Sequence, residues 1–286
     1  MAKSHFIQQK FIMTFTKGKG IYVFDKTKNK PLNKLSNAKK IAYKKDLYKL
    51  ELKDISEHFK IDLSKIYPKW NEDGLELVFK EFEDAGIDVI RKITEKEKLS
   101  LSNDEKVDLI AYLILSSKRT PTIKELEECI YKDIPIAEKE KRNIFIKKIL
   151  DKDDINKKIH YVLSNYKMIL LKNENDAFVF SDNWCAQFNI ALPSEIFIPL
   201  TASLGILFKD VSRKSTYSSH DSYNYESVNI LNNVEVVEYN FYHQIAFAQR
   251  WIYGAYTSSV VNFFKMIYPI FNAESVEIEP KIQTSD

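Results

Sequence analysis

Apolar residues recur along the chain with two different periods, and the change from one to the other divides it. Over Glu72–Glu95 the residues Leu75, Val78, Phe79, Phe82, Ile90 and Ile93 keep the helical spacing and fall, at about 100° per residue, within a stripe roughly 120° wide. On the same projection Glu72, Glu76 and Glu83 lie along the edge of that stripe, whereas Glu81, Asp84 and Asp88 point elsewhere and read as solvated charge. A second helix starts at Ser102, where Ser102 and Glu105 form a capping-box pair, and continues through Val107, Ile110, Leu113 and Ile114 to about Lys118. Arg119-Thr120-Pro121-Thr122 then breaks it, because Pro121 disfavours helix at Thr120 and suits the first turn of the next one. Helices are expected at Ile123–Tyr131, Ala137–Leu150 and Ile155–Tyr166.

After Tyr166 the period shortens to two. Met168–Leu171 and Ala177–Phe180 flank a polar turn and predict a β-hairpin, its second arm stopping abruptly at Ser181-Asp182-Asn183. Ile196–Leu200 and Leu204–Phe208 predict another pair of strands. Near the start, two short apolar runs around Lys17–Gly20 suggest a hairpin over 5–25, with a helical turn as the alternative for the first run. Residues 26–69 are irregular, with a strand expected near Ile41. Lys209–Ser227, rich in Ser, Tyr and Asp, reads as a long loop, and Val228–Thr257 as a long helical run, with a candidate interruption near Asn232-Asn233, that carries His243 and Arg250 on one face. Val260–Phe271 is a final apolar segment.

These elements predict an α+β fold in a single unit over 1–272. A helical region spans about 70–166, strand-rich regions lie at 5–25 and 168–208, C-terminal helices at 228–271, and a polar frayed tail at 273–286.

Composition narrows the function classes. Lys and Arg (43) nearly balance Asp and Glu (40), so the net charge of +3 is no footprint of a duplex-binding protein; a nucleic acid or nucleotide partner is permitted but not indicated. Two cysteines without a CxxC pair, among five histidines, give neither a disulfide scaffold nor a zinc-finger spacing, which implies a reducing, cytoplasmic setting. The start lacks the apolar core of a signal peptide, and the most apolar stretch, Ile196–Phe208, falls short of the about twenty residues of a membrane span. No membrane association is therefore expected. Glycine-rich phosphate loops, HExxH, GxSxG and dinucleotide fingerprints do not occur.

The candidate chemistry sits at element ends, and each group has two readings. Asp182 is a general base or metal ligand, or it closes an Asx-type turn on the backbone. Glu76 and Glu83 pair with cations at a helix interface, or they are desolvated carboxylates with raised pKa, fit for proton transfer or for a divalent metal. His5, anchored by Phe6, Ile7 and Phe11, is a bystander or a held proton carrier. Arg119 caps the preceding helix or clamps an anion.

His5-Phe6-Ile7-Gln8-Gln9, Ile21-Tyr22-Val23-Phe24-Asp25, Arg119-Thr120-Pro121, Phe180-Ser181-Asp182-Asn183 and Asn232 ahead of a helix bearing Arg250 resemble, in this order, the domain of unknown function 4238 family. That resemblance covers nearly the whole chain and implies a fold and a set of positions, with no established reaction. Three positions depart from it: Gln8 and Trp184 stand where the family usually has Pro, and Ser116 where a Gln commonly precedes Arg-Thr-Pro.

Two functions are carried forward from these features. The first is a metal-assisted hydrolase acting on phosphodiesters or nucleotides, in the manner of bacterial toxin or phage-defence effectors. In it His5, Glu83 and Asp182 are catalytic, Gln9, Arg119, Asn183 and Arg250 hold substrate, and Glu76, Glu83 and Asp182 are the candidate ligands of a divalent metal. The second is a non-catalytic sensor or binding protein whose polar residues form a buried network, with loop 209–227 as a surface for a protein partner.

Overall fold

The computed structural model describes residues 3–45, 74–123, 151–213 and 224–255, apart from short gaps, together with scattered positions of 124–150. Most of the helices expected at Ile123–Tyr131 and Ala137–Leu150, most of loop 209–227, the segment Val260–Phe271 and the tail 273–286 lie outside the described residues.

In chain order the elements are β1 (Lys3–His5), α1 (Gln9–Phe15), β2 (Tyr22–Asp25), β3 (Lys30–Pro31), β4 (Tyr43–Lys45), α2 (Gly74–Lys96), α3 (Asn103–Ser117) and α4 (Lys152–Asn165). There follow β5 (Tyr166–Lys172), β6 (Val179–Ser181), α5 (Gln187–Ile190), β7 (Glu195–Pro199), β8 (Leu204–Asp210), β9 (Asn229–Ile230), α6 (Asn233–Asn240), a π-helical turn (Phe241–Ile245) and β10 (Trp251–Gly254). The fold is α+β. One sheet has the order β3-β2-β10-β6, a second β7-β8-β5-β9, and β1 pairs with β4. Every pairing is antiparallel except β5 with β9.

Both sheets are buried on two sides, so their strands are buried almost continuously while successive side chains alternate between two cores. Val23, Phe180, Tyr253, Leu170, Ile196, Ile198, Ile206 and Phe208 point into a large core shared with α1, α2, α3 and α4. Their neighbours point the other way. Phe24, Val179 and Ile252 meet Ile245 and Ala248, while Ile169, Leu171, Phe197 and Leu207 meet Val236 and Tyr239 of α6. The run from α6 through the π turn thus backs both sheets, and α2–α4 cover their opposite faces.

Local signals set the helix ends. Ser102 accepts from the Glu105 backbone while the Glu105 carboxylate accepts from the Ser102 backbone, completing the expected capping box of α3. Asn232 and Glu235 form the same device at α6. Helices α2 and α3 approach closely because Gly86 has no side chain: a Cβ there would stand 2.3 Å from Cβ of the buried Tyr112. Gly86→Ala therefore gains about 1 kcal/mol of helix propensity and loses more by overpacking. A net loss of about 1–3 kcal/mol is expected in urea unfolding; an unchanged midpoint would mean that the two helices separate freely.

The structure departs from the sequence pattern in four places. The first apolar run of 5–25 is the helix α1 and not a hairpin arm, because Phe11, Ile12 and Phe15 meet the core at helical spacing. Strands β5 and β6 do not form a hairpin but belong to different sheets. Asn173 Oδ1 accepts from the backbone of Asn175 and Ala177, Asp176 adopts φ 50°, and the chain swings away so that β6 pairs with β10. The long C-terminal helix ends at Ile245, and Arg250 opens the approach to a strand, so it does not share a helical face with His243. Phe82, placed in the apolar stripe of α2, is 45% exposed. Among the described residues, no helix is long and apolar enough to cross a membrane.

Candidate functional site

The stretch Ser181-Asp182-Asn183 leaves the end of β6 directly beside the turn between the π helix and β10. Asp182 is 1% exposed, and its carboxylate accepts from three successive backbone N–H groups: Gln249 at 2.9 Å, Arg250 at 2.9 Å and Trp251 at 3.0 Å. Burial pushes this carboxyl above its ordinary 3.8, against the opposing pull of those donors. The same turn is held from its other side by Lys26, whose Nζ donates to the carbonyl of Ile245, the last residue of the helical run, at 3.1 Å and to that of Ala248 in the turn at 2.9 Å. Asn183 Nδ2 donates to Thr122 Oγ1 at 2.6 Å and to the Phe247 carbonyl at 2.8 Å. Asp182 therefore closes no Asx turn on its own segment; it organises a turn almost seventy residues away.

The N-terminal motif, the acid-rich helix and Arg-Thr-Pro meet in a second cluster. Arg119, 2% exposed, lies with its guanidinium carbon 4.6 Å from the Phe79 ring centroid, and its Nη1 donates to Glu83 Oε1. Gln8 Nε2 donates to the same oxygen at 3.1 Å and to Ser116 Oγ at 3.2 Å, while Tyr112 donates its hydroxyl to Gln8 Oε1. Glu83 keeps partial access to solvent at the edge of the α2 stripe, its side chain 18% exposed. Burial raises the phenol of Tyr112 far above 10.0 and the thiol of Cys185 well above 9.0, so both stay protonated.

The two clusters connect. Arg119 and Thr122 flank one short turn, Thr122 bonds Asn183, Asp182 holds Arg250, and Arg250 Nη2 donates to Asp25 Oδ2 at 2.9 Å while its guanidinium lies over the Trp251 ring. One path of contacts, joined along the chain between Arg119 and Thr122 and between Asn183 and Asp182, thus runs Gln8, Glu83, Arg119, Thr122, Asn183, Asp182, Arg250, Asp25, drawing together segments that span the sequence. Of the other candidates, His5 is in β1 opposite Tyr43 and Gln9 is the first residue of α1; the side chains of His5 and Glu76 lie outside the described residues. Glu83 and Asp182 share no hydrogen-bond partner, and among the described residues no group of three or more His, Cys, Asp and Glu is arranged to hold a metal ion.

Asp25 makes the network's acid sensitivity measurable. Burial works against its ionisation but is outweighed by Arg250, Thr27 and Lys28, which together hold its carboxyl below the ordinary 3.8. A depressed folded value contributes stability that is complete above the unfolded value and is lost as pH falls from 3.8 through the lower folded one. Arg250→Met removes the main counterion, so its acid-unfolding midpoint is expected to move to higher pH than that of the wild type. Circular dichroism between about pH 6 and 2 checks this; coincident acid limbs would rule out the pair as a source of stability.

Sequence reading overlooked the amides on the helix that backs the sheets. Asn240 Oδ1 accepts from the Val179 backbone at 3.1 Å and its Nδ2 donates to the Ala177 carbonyl at 2.8 Å. Gln244 Oε1 accepts from the Ser181 backbone at 3.2 Å, and its Nε2 donates to the carbonyls of Trp184 at 3.1 Å and Phe197 at 3.3 Å. His243 Nδ1 accepts from the Phe197 backbone at 3.3 Å. These side chains take the place of a neighbouring strand along the outer edges of β6 and β7. A signal was present: Asn240 and Gln244 stand four apart in a helical segment rich in aromatic residues, which puts two amides on one face.

The departures from the family pattern are accounted for locally. Gln8 and Ser116 touch each other, so an amide still reaches Glu83, supplied from the N-terminal segment. Trp184 fills the space between α1 and α3, stacked on Phe11 with ring centroids 4.0 Å apart. A family model described as "Protein of unknown function (DUF4238)" matches residues 3–258. Neither among curated proteins nor among solved structures is there a significant match.

Proposed function

We propose that this chain, which belongs to the DUF4238 family, is a binding or sensor protein in which the family's motif residues serve as an internal frame and not as acid–base or metal machinery. The observation that carries this reading is the Asp182 carboxylate, buried and committed to three backbone N–H groups. A carboxylate so engaged has no accessible lone pair for a metal, and a proton placed on it would break bonds that hold β10 in place. The remaining motif side chains are similarly engaged: Asn183 with Thr122 and Phe247, Arg250 with Asp25, and Arg119 with Glu83.

The hydrolase reading keeps one observation in its favour, the partial exposure of Glu83 beside a buried guanidinium. Thermal melts of the wild type and Asp182→Asn, each with and without Mg²⁺, Mn²⁺ or Zn²⁺ and a nucleotide panel, separate the two. In the frame reading the variant melts lower and none of these ligands shifts either protein. A metal- or nucleotide-dependent rise in the wild type that disappears in a still-folded variant restores the metal-assisted hydrolase acting on phosphodiesters or nucleotides.

Glu83→Gln is a milder test of the second cluster. It retains an acceptor for Gln8 and Arg119 but leaves the guanidinium without its counter-charge, so a loss of about 1–3 kcal/mol in urea unfolding is expected. A variant as stable as the wild type would remove Glu83 from the frame.

A further inference from the structure

Strand β7 ends the second sheet, and its outer edge is met by side chains instead of a strand. At Phe197 both backbone groups point outward: the carbonyl accepts from Gln244 Nε2 at 3.3 Å and the N–H donates to His243 Nδ1 at 3.3 Å. His243 is buried in the π-helical turn, a form of helix that recurs at functional positions. A backbone N–H can only donate, so Nδ1 carries no proton and the neutral ring holds its hydrogen on Nε2. Gln187 lies at the same nitrogen, with its Nε2 and Oε1 each at 3.3 Å. Its amide therefore offers Nδ1 a donor while the ring is neutral and an acceptor once Nδ1 is protonated. Among the described residues, the titratable and charged groups set around the imidazole are Tyr239, its ring stacked 5.8 Å away, and the row Glu195, Lys209 and Lys167, which crosses the sheet on the face that carries Phe197.

We infer that His243 is a proton-operated latch on the edge of β7. A proton from solvent adds to the Nδ1 lone pair, the bond from the Phe197 N–H breaks, and the new Nδ1–H donates to Gln187 Oε1, so that one partner is exchanged for another. The latch is closed while the imidazole is neutral and opens as pH falls through the range in which histidine charges, about 6.5 in its ordinary setting. What opens is an N–H on the free side of a terminal strand, the kind of group through which an added strand pairs with a sheet. Gln244 keeps its bond to the Phe197 carbonyl, so the change is confined to one side of the residue. Neither His243 nor Gln187 lies on the path from Gln8 to Asp25, so the latch and the frame reading stand or fall separately.

The experiment follows the full chain by nitrogen-15 NMR between about pH 8 and about pH 5.5, reading the His243 ring nitrogens and the exchange protection of the Phe197 N–H. At the upper pH the ring is expected in the Nε2–H form. On acidification the Phe197 protection factor is expected to fall about tenfold or more while that of Ile206, inside β8, holds. His243→Asn sets an amide oxygen at the place of Nδ1 and cannot charge, so it is expected to keep Phe197 protected at both ends of the range. Gln187→Leu removes the acceptor of the protonated ring, and its transition is expected about one pH unit or more lower. Far-UV circular dichroism shows whether each variant is folded, and the wild type with Gln187→Leu decides the matter if His243→Asn is not. A proton on Nδ1 at the upper pH, equal protection of Phe197 at both ends, or loss of protection at Ile206 alongside it would overturn the inference. So would an acid loss that persists in His243→Asn, or an unmoved transition in Gln187→Leu.

Discussion

Asp182→Ala is expected to lose about 4–6 kcal/mol of stability, a large share of what a domain of this size holds. The carboxylate is the common acceptor of three backbone donors, all within 3.0 Å. Hydrogen bonds to a charged acceptor contribute about 1.5–3 kcal/mol each, and part of their sum is offset because the variant no longer buries a charge. The three donors lose an acceptor that is itself 1% exposed, and the alanine methyl offers nothing in its place. Asp182→Asn keeps one acceptor oxygen and is expected to lose roughly half as much. Urea unfolding followed by circular dichroism at pH 7 measures both, with an unchanged denaturant slope showing that the transition is still cooperative. A loss below about 1 kcal/mol for the alanine variant would mean that the turn at 249–251 is held by other contacts.

Gln244→Leu is expected to cost about 3–4 kcal/mol. It removes the partner of the Ser181 N–H and of the Trp184 and Phe197 carbonyls, and leucine supplies no group to replace it. Apolar volume is roughly conserved, so the change isolates the hydrogen bonds from cavity effects. Tyr242→Ala, a neighbour 46% exposed, is the control and is expected to fall within about 1 kcal/mol of the wild type. Amide hydrogen exchange gives the local readout: the Ser181 N–H should lose protection in Gln244→Leu well before the interior of β8 does. Retained protection at Ser181 would show that β6 finds another partner and that the amide is dispensable.

What could be seen in the sequence was local in its physics. The capping box at Ser102, the break at Pro121, the helix α2 and the β7–β8 pair each depend on residues within a few positions of one another, and each lies where the pattern put it, apart from Phe82 in the α2 stripe. The places where pattern and structure part depend on distant groups. The helical run expected over Val228–Thr257 begins only at Asn233 and ends at Ile245, where Lys26 takes carbonyls at its end and just beyond and Asp182 takes the N–H groups that follow, and neither residue lies in that segment. Strand β6 abandons β5 because β10, over seventy residues further on, offers a better-matched edge. The candidate site behaved the same way. The motif segments were legible one by one, but that they form a single path from Gln8 to Asp25 rests on contacts between residues more than thirty positions apart.

The order of strands in the first sheet, β3-β2-β10-β6, has a consequence for how the molecule is made. Its inner strand β10 is among the last of the described elements to be synthesised, yet it joins β2, laid down some 230 residues earlier, to β6. While the ribosome is still making the α6 segment, β2 and β6 have no partner between them and their ladder groups stand open. Closure of so long a loop is slow, and open ladder groups invite pairing with other chains. The protein should therefore depend on chaperone protection, or on a low rate of expression, until residue 254 has emerged, and crowded overexpression should yield aggregates even of a sequence whose finished fold is stable.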